Sequence, residues 1–477
     1  MKKKKYLEAD IFAFSAKGNG IGQGVSLEGK PVEVEVPFAI PKDKVKSLLL
    51  RKRGGIYKSL LEEILIASPD RVEPRCIHFG TCGGCRWQQI SYEYQLSLKQ
   101  AYITKSFGAY LNGLAIQPIL PCQPPWNYRN KMEFSFSSNA QKDRFLGLMM
   151  DSSRGKVFNL TECHLVTPWY AECVQAVRGW WQASDLDAFH PLRNTGSLRT
   201  LTLREGQRTG DRLVMLTVSG NPDFALKKHH LESFVKVLKE SFTPPQGALS
   251  IFLRIHQAVK GTETQFFEMH LDGPDHIREI LNVSSKKEEP PLPLQFKISP
   301  TAFFQPNTAQ AEKLYSLAIQ LSDLKSNEIV YDLYCGTGTL GIAASRFCQS
   351  VVGIEIAPEA VLDAKANAAL NNCQNVSFLG GDVQVVLENI FAEKNHPLPD
   401  VVFTDPPRVG LGVKAIQQIL KLSPQRIVYI SCNPSSQSQD LPLFLEAGYF
   451  IKCIQPVDQF PQTVHVENIL VLEKGPR

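Results

Sequence analysis

Apolar and polar positions change their spacing along the chain, and the changes divide it. Over residues 6–66, apolar residues alternate with polar ones in short runs. "VSLEGKPVEVEVPFAI" holds a Gly-Lys turn, then Val32, Val34 and Val36 at period two. That pattern predicts the strands of a small antiparallel barrel. "KGNGIGQG" reads as a glycine-rich loop, and "KSLLLRKRGG" carries flanking basic residues. A small barrel with basic loops suits single-stranded nucleic acid. "SPDRVEPRC" breaks the pattern. "SYEYQLSLKQAYITKSFGAYL" then reads as a helix with Tyr94, Leu98, Tyr102 and Ile103 apolar. From about residue 115 to 300 the runs are mostly strand-like ("KMEFSFS", "RTLTLRE", "DRLVMLTVSG", "LSIFLRIH", "TQFFEMHL"), which predicts an α+β segment. "SSKKEEPPLPLQ" reads as a charged, proline-rich hinge.

Beyond residue 308 strands and helices alternate. "NTAQAEKLYSLAIQLSDL" is an amphipathic helix with Asn307 or Thr308 placed to cap it. Val/Ile-rich strands such as "EIVYDLY", "SVVGIEI", "DVVFTDPP" and "RIVYISCNP" follow, with helical runs between them. This predicts a doubly wound parallel sheet, whose ligands sit at the carboxyl ends of the strands. The expected division is 1–67, a barrel; 68–300, a central α+β domain; and 301–477, the α/β domain. A length of 477 residues fits about three domains.

Composition narrows the class. Hydrophobic residues make up 43% and charged residues 21%, as in soluble globular proteins. There is no run of about 18 apolar residues, and "MKKKKYLEAD" lacks the apolar core of a signal peptide. The expectation is a cytoplasmic protein with no membrane partner. In that compartment the 11 cysteines stay reduced, so a cluster of them points to metal binding or catalysis. Residues 1–60 hold 13 Lys or Arg and 6 Asp or Glu, a net +7, against +5 for the whole chain. A basic N-terminal module on a near-neutral body fits a polyanion or a solubilising tail.

The candidate chemistry lies at the predicted strand ends. "DLYCGTGTLG" places Gly336, Gly338 and Gly341 in a G-x-G-x-x-G pattern. That pattern fits a dinucleotide or S-adenosylmethionine. Asp332 favours the latter, because a carboxylate crowds a pyrophosphate but suits a sulfonium or an amino group. Glu355 can accept both hydroxyls of a ribose. "VVFTDPPRVG" fixes Asp405 before two prolines. Such a loop is typical of methyltransferases that act on planar bases, although Arg408 stands where amino-group enzymes carry an aromatic residue. Cys432 in "YISCNP" sits at the tip of the next strand. In "FPQTVHVENILVLEK", Val464, Val466 and Ile469 alternate with His465 and Glu467 as a half-solvated strand would. With a nucleophile nearby, Glu467 becomes a candidate general base. A thiolate adding to carbon 6 of uracil makes carbon 5 nucleophilic toward a sulfonium methyl, and a base must then remove the carbon-5 proton. Cys432, Glu467 and the glycine loop supply these parts.

In "SPTAFFQPN", "DLYCGTGT", "GIEI", "TDPPRVG", "YISCNP" and "HVEN", taken in order, the chain resembles the RNA uridine-5-methyltransferases. The closest likeness is to the iron–sulfur branch that modifies 23S ribosomal RNA. The resemblance covers nearly the whole chain. It implies a Rossmann-like class I methyltransferase with a parallel-rich seven-stranded sheet, preceded by an OB-like TRAM barrel and a central α+β domain. It implies that Gln305, Tyr334, Glu355 and Asp405 bind S-adenosylmethionine, with Asp332, Thr339 and Asp382 lining the same site. Cys432 would be the nucleophile and Glu467 the base. Tyr334 replaces a common Phe, and Thr339 an Asn found in some members.

The branch holds a 4Fe–4S cluster with C-x5-C-x2-C and one distant cysteine. Cys76, Cys82 and Cys85 match that spacing, and "LTECHLV" supplies Cys163. Zinc is the alternative for four thiolates, but it normally brings a second close pair. His78 is a spare ligand or a structural residue. The cluster's implied role is to hold the central domain in shape, since methyl transfer needs no electron. The implied partner is 23S ribosomal RNA, bound by a monomer. Transfer-RNA methylation, a cytosine methyltransferase, a radical enzyme and a pure RNA-binding scaffold are the rival readings.

Overall fold

The computed structural model describes residues 5–475, apart from 27–28, 112, 152, 154, 243, 245, 259–260, 262, 286–289 and 395. The N-terminal strands are β1 (Tyr6–Phe14), β2 (Gly20–Val25), β3 (Pro31–Val36), β4 (Lys44–Arg53) and β5 (Ile56–Ile66). They close a barrel in the order β1-β2-β3-β5-β4 around Leu7, Ala9, Ile11, Val34, Val36 and Val45. The expected glycine-rich loop is mostly strand β2. A side chain at Gly22 would meet the Asp10 carbonyl oxygen at 2.7 Å, and one at Gly24 the Glu8 carbonyl oxygen at 2.1 Å. These glycines let β1 and β2 approach closely, which explains their spacing.

Helix α1 (Tyr92–Phe107) starts at Ser91, whose side chain accepts the Tyr94 N–H. Its buried row is Gln95, Lys99, Ile103 and Phe107, one residue on from the apolar row that the sequence suggests. The two polar members are buried because they bind other segments. Gln95 exchanges hydrogen bonds of 2.9 Å with Gln462, through Nε2 to Oε1 and through Oε1 from the backbone N–H. The Lys99 ammonium contacts the Asp458 carboxylate at 2.5 Å and donates to the Phe460 carbonyl at 3.0 Å.

The central sheet uses β6 (Lys131–Ser138), β7 (Arg144–Gly147), β8 (Leu198–Glu205), β9 (Arg212–Ser219), β10 (Leu249–Gln257) and β11 (Gln265–Asp272). Its order is β11-β10-β9-β8-β6-β7. Helices α2 (Pro168–Gln182) and α3 (Lys228–Phe242) cover one face through Trp181, Val177, Phe234 and Leu238.

Of residues 284–295, expected as a hinge, 286–289 lie outside the described residues, and 292–295 are the start of a strand that pairs in a hairpin. Its strands β12 (Ile277–Val283) and β13 (Leu292–Ile298) pair with each other. Ile277, Leu281, Leu294 and Phe296 pack in one core with Leu314 and Ala318 of α4 (Thr308–Ser322). Asn307 caps α4 by accepting the Gln310 N–H.

The C-terminal sheet then forms from β14 (Ile329–Leu333), β15 (Ser350–Glu355), β16 (Val376–Gly380), β17 (Val401–Thr404), β18 (Arg426–Ser431), β19 (Tyr449–Val457) and β20 (Glu467–Lys474). The order is β16-β15-β14-β17-β18-β20-β19, seven strands as expected, with β20 antiparallel to both neighbours. Helices α5 (Thr339–Ala344), α6 (Pro358–Leu370), α7 (Val383–Glu393), α8 (Gly412–Leu422) and α9 (Pro434–Glu446) complete the layers. The sequence reading does not contain α7 or β19. The last strand, read as "ENILVLE", does begin at Glu467, but β20 buries its first six residues, so the half-solvated alternation read over residues 460–474 does not hold.

Lys99 and Asp458 are both cut off from solvent. Removing one member of such a pair leaves the other charge stranded, at a cost of about 3–5 kcal/mol. Lys99→Met should therefore lower the urea-unfolding free energy by about that amount. A loss under about 1 kcal/mol would show that the pair does not hold this junction.

Candidate active site and cysteine pocket

Four strand ends and one loop build the reactive site. Parallel strands β14, β17 and β18 end at the same edge of the sheet. Because β20 runs the other way, its first residue lies at that edge too. The register pairs Ser431 with Asn468, so Cys432 and Glu467 extend from adjacent strands. Cys432 is partly exposed, whereas Glu467 is 3% exposed. Burial, then the Glu467 charge, pushes the Cys432 thiol up to about 11, while the Arg408 guanidinium opposes this by charge and hydrogen bonding. Burial and the Asp405 charge hold the Glu467 carboxyl well above its usual range, again opposed by Arg408. Glu467 Oε2 is buried with no hydrogen-bond partner among the described residues. Arg408 is thus the cation that serves both reactive groups. Its backbone is held by Asn433 and Ser436, whose side chains donate to its carbonyl at 2.9 and 3.1 Å.

Beside this pair a pocket of about 390 Å³ is lined by Phe303, Gln305, Asp332, Tyr334, Thr339 and Asp405 among others. Asp332 and Asp405 line it, and among the described residues no cationic side chain pairs with either. Asp332 accepts the Gly341 N–H at 2.8 Å, and Asp405 accepts Gln305 Nε2 at 3.3 Å. Burial raises each carboxyl to about 7, and the Asp405 and Glu355 charges add to the effect on Asp332. A side chain at Gly341 would lie 2.9 Å from Asp332 Oδ2, so the third loop glycine keeps that contact open. Tyr334 has φ 62°, a left-handed conformation at the turn out of β14. Thr339 shares a 3.1 Å hydroxyl contact with Thr337.

Two expected residues stand apart. Glu355 binds the loop itself, accepting the N–H of Gly336 at 3.0 Å and of Ala357 at 2.9 Å. Asp382 is exposed and caps α7 by accepting the N–H of Gln384 and Val385, and it is not among the pocket-lining residues. Its charge does reach Tyr334, whose phenol is pushed up to about 12, chiefly by burial.

Cys76, Cys82, Cys85 and Cys163 line a second pocket, of about 430 Å³, with Phe79, Met132, Leu148, Leu160 and Leu165. Burial raises all four thiols, Cys76 to about 11 and Cys85 to about 12. His78 lines the pocket, but its Nε2 accepts the Thr161 N–H at 3.1 Å, which makes it structural. A single tetrahedral ion with bonds of about 2.3 Å holds its sulfurs about 3.8 Å apart. Among the described residues, the group of three ligand atoms mutually within 4.8 Å is Asp185, His229 and His230, not the cysteines. The four thiols line one pocket without forming such a close-packed group among the described residues.

The chain matches the tRNA (Uracil-5-)-methyltransferase family over residues 262–475. It is 52% identical over 442 residues to an uncharacterized RNA methyltransferase of Protochlamydia amoebophila, covering 92% of this chain and 99% of that one. The chain belongs to the RNA (uracil-5-)-methyltransferase family. A Clostridium tetani protein with the same RNA methyltransferase description is 33% identical over 477 residues, covering 99% of each. The crystal structure of Pyrococcus abyssi tRNA (uracil-54, C5)-methyltransferase in complex with S-adenosyl-L-homocysteine has a TM-score of 0.69 at 22% identity. The match covers 98% of this chain and 100% of that one, and it shows a shared fold. Among the described residues, no helix is long and apolar enough to cross a membrane.

Within this family member, three site residues were not singled out by the sequence. Gln459 is fully buried and donates from Nε2 to Gln305 Oε1 at 3.1 Å. Phe303 stands exposed at the pocket mouth. Arg408 looked only like a departure from another motif. Its position directly after Asp-Pro-Pro was the available signal.

The thiolate fraction of a group near 11 rises about tenfold per pH unit below that value. Iodoacetamide labelling of Cys432, read by peptide mass spectrometry, should follow that slope from pH 8 to 10. Arg408→Ala should slow it at every pH in the range. A flat profile, or faster labelling in the variant, would contradict the assigned electrostatics.

Proposed function

We propose that this protein transfers a methyl group from S-adenosylmethionine to carbon 5 of a specific uridine in 23S ribosomal RNA. The observation that carries the reading is the Cys432–Glu467 pair, set on adjacent strands beside a pocket that holds two desolvated carboxyls. Such a pocket favours a cationic ligand. S-adenosylmethionine, when bound, supplies a methyl group on a sulfonium. Gln305, Tyr334, Asp332, Thr339 and Asp405 are the residues that would hold it.

Cys432 Sγ forms a bond to carbon 6 of the uracil, and the ring's double-bond electrons become available at carbon 5. Arg408 stabilises the thiolate that begins this step. Once carbon 5 carries the methyl group, Glu467 takes its proton. The released pair restores the ring double bond, the sulfur–carbon bond breaks, and the thiolate returns to Arg408. The raised affinity of Glu467 for protons strengthens it as a base. The target base must leave its stack to reach this pair, and Phe303 offers it an aromatic face.

The reading further assigns a 4Fe–4S cluster to Cys76, Cys82, Cys85 and Cys163. The meeting of all four cysteines in one largely apolar pocket, three of them in the C-x5-C-x2-C spacing, supports it. The cluster would tie the segment before α1 to the central domain. A transfer-RNA substrate is the second reading, supported by the names of the matched family and of the Pyrococcus abyssi protein.

The test is methyl transfer to ribosomal and transfer RNA from cells lacking this protein, read as 5-methyluridine after nuclease digestion. The 23S fraction should be methylated, and Cys432→Ala should reduce the signal to background. Methylation of the transfer RNA alone would favour the second reading, and full activity in the variant would sink the mechanism. The same anaerobic preparation should hold about four irons per chain, lost in Cys163→Ser. One zinc per chain would remove the cluster from the account.

A further inference from the structure

Gln459 stands one layer behind the pocket beside Cys432 and Glu467. It is fully buried and is not among the residues that line that pocket. Its backbone is held on both sides. The N–H donates to the Val457 carbonyl at 3.1 Å, and the carbonyl accepts Asn307 Nδ2 at 3.2 Å. The residue before it, Asp458, is locked by Lys99 and Tyr92. The side chain therefore starts from a fixed point.

Its amide points one way. Nε2 donates to Gln305 Oε1 at 3.1 Å, while its own Oε1 is buried with no hydrogen-bond partner among the described residues. Reversing this amide would set two carbonyl oxygens against each other and strand a buried N–H. The donating end is thus the one that meets Gln305.

Gln305 does line the pocket, and it is also tied from behind, where Asn130 Nδ2 donates to its backbone carbonyl at 2.9 Å. With its Oε1 engaged by Gln459, the Gln305 amide turns Nε2 toward Asp405 Oδ2 at 3.3 Å. That order matters for charge. An ionised carboxylate only accepts hydrogen bonds, whereas a protonated one must also donate. Gln305 offers Asp405 a donor, and its oxygen faces the other way. The arrangement favours the charged form of Asp405, against burial, which favours the neutral form.

The charge on Asp405 acts on whatever fills the pocket. S-adenosylmethionine carries one unit of positive charge more than S-adenosylhomocysteine, and the two differ only by the sulfonium methyl. The ratio of their affinities therefore reports the charge of the pocket rather than its shape.

We propose that Gln459 is a positioning residue for the methyl donor. By fixing the Gln305 amide it keeps Asp405 a carboxylate, and so sets the preference of the pocket for the cationic donor over the product. The proposal rests on the S-adenosylmethionine reading above. It adds a residue that touches neither cofactor nor substrate.

The test measures equilibrium binding of both ligands to the full-length protein by isothermal titration calorimetry at neutral pH. Gln459→Met has a similar length but no donor. It should weaken S-adenosylmethionine about tenfold and S-adenosylhomocysteine about twofold, so that the affinity ratio falls about fivefold. Gln459→Asn keeps a buried amide but is one carbon too short to reach Gln305, and it should lower the ratio as much. The Asn variant carries the comparison alone if the Met variant does not fold. In a Gln305→Met background, Gln459→Met should leave the ratio where Gln305→Met sets it, because the residue acts through that amide. Equal weakening of both ligands, an unchanged ratio, or a further fall in the double variant would overturn the assignment. If the unmutated protein bound neither ligand, the cofactor reading itself would fail and the positioning role with it.

Discussion

A lysine ammonium and an aspartate carboxylate, 2.5 Å apart and both sealed from water, fix the catalytic edge of this protein. Lys99 comes from α1 and Asp458 from the segment that leads into β20. The pair is not isolated. Tyr92 donates to the second Asp458 oxygen at 2.7 Å, and the next residue, Gln459, binds Gln305 at 3.1 Å. Gln305 in turn binds Asp405 in the pocket beside Cys432 and Glu467. A polar chain thus runs from the helix after the cysteine motif to the reactive site. Buried polar groups are costly unless every partner is present, so such a chain tolerates few arrangements. It fixes where the segment 458–466 lies, and so where Glu467 enters the sheet. The apolar junction of Ile40, Trp87, Ile90, Leu98 and Val464 brings the barrel to the same segment.

The site itself is an arrangement of excess negative charge. Asp332, Asp405 and Glu467 are all desolvated, and Arg408 is the cation that offsets two of the reactive groups. A protein arranged in this way is poised to receive positive charge from its ligand. Burial raises the Cys432 thiol, and the Arg408 guanidinium opposes that shift. The cysteine pocket follows a different logic. Its four thiols line one pocket with apolar side chains, and they come from the segment before α1 and from the central domain.

Much of this was legible in the sequence, because the motifs are local. The Asp332 turn, the Asp405 loop and Cys432 each combine a buried strand with glycine or proline immediately after it. Period-two and alternating β/α patterns were enough to place the barrel strands and most of the seven-stranded sheet. What the sequence hid is long-range. Lys99 and Gln95 look like solvated helix positions, and only Asp458 and Gln462, more than 350 residues away, explain their burial. The expected hinge runs too far, because Leu292 and Leu294 alternate with polar or proline positions and begin β13 despite the prolines beside them. Glu467 looked half-solvated because alternation was read across a turn that ends where β20 begins. Arg408 is marked in the sequence only by its place after Asp-Pro-Pro, and its electrostatic effect on Cys432 and Glu467 comes from the meeting of two strands.

The most direct test of the account is mass spectrometry of Glu467→Gln after reaction with substrate RNA and S-adenosylmethionine. With the base removed, the proton on carbon 5 stays, and the sulfur cannot leave. The account expects a denaturation-resistant protein–RNA adduct that carries the methyl group and maps to Cys432. Turnover at the unmutated rate, or an adduct on any other residue, would contradict it.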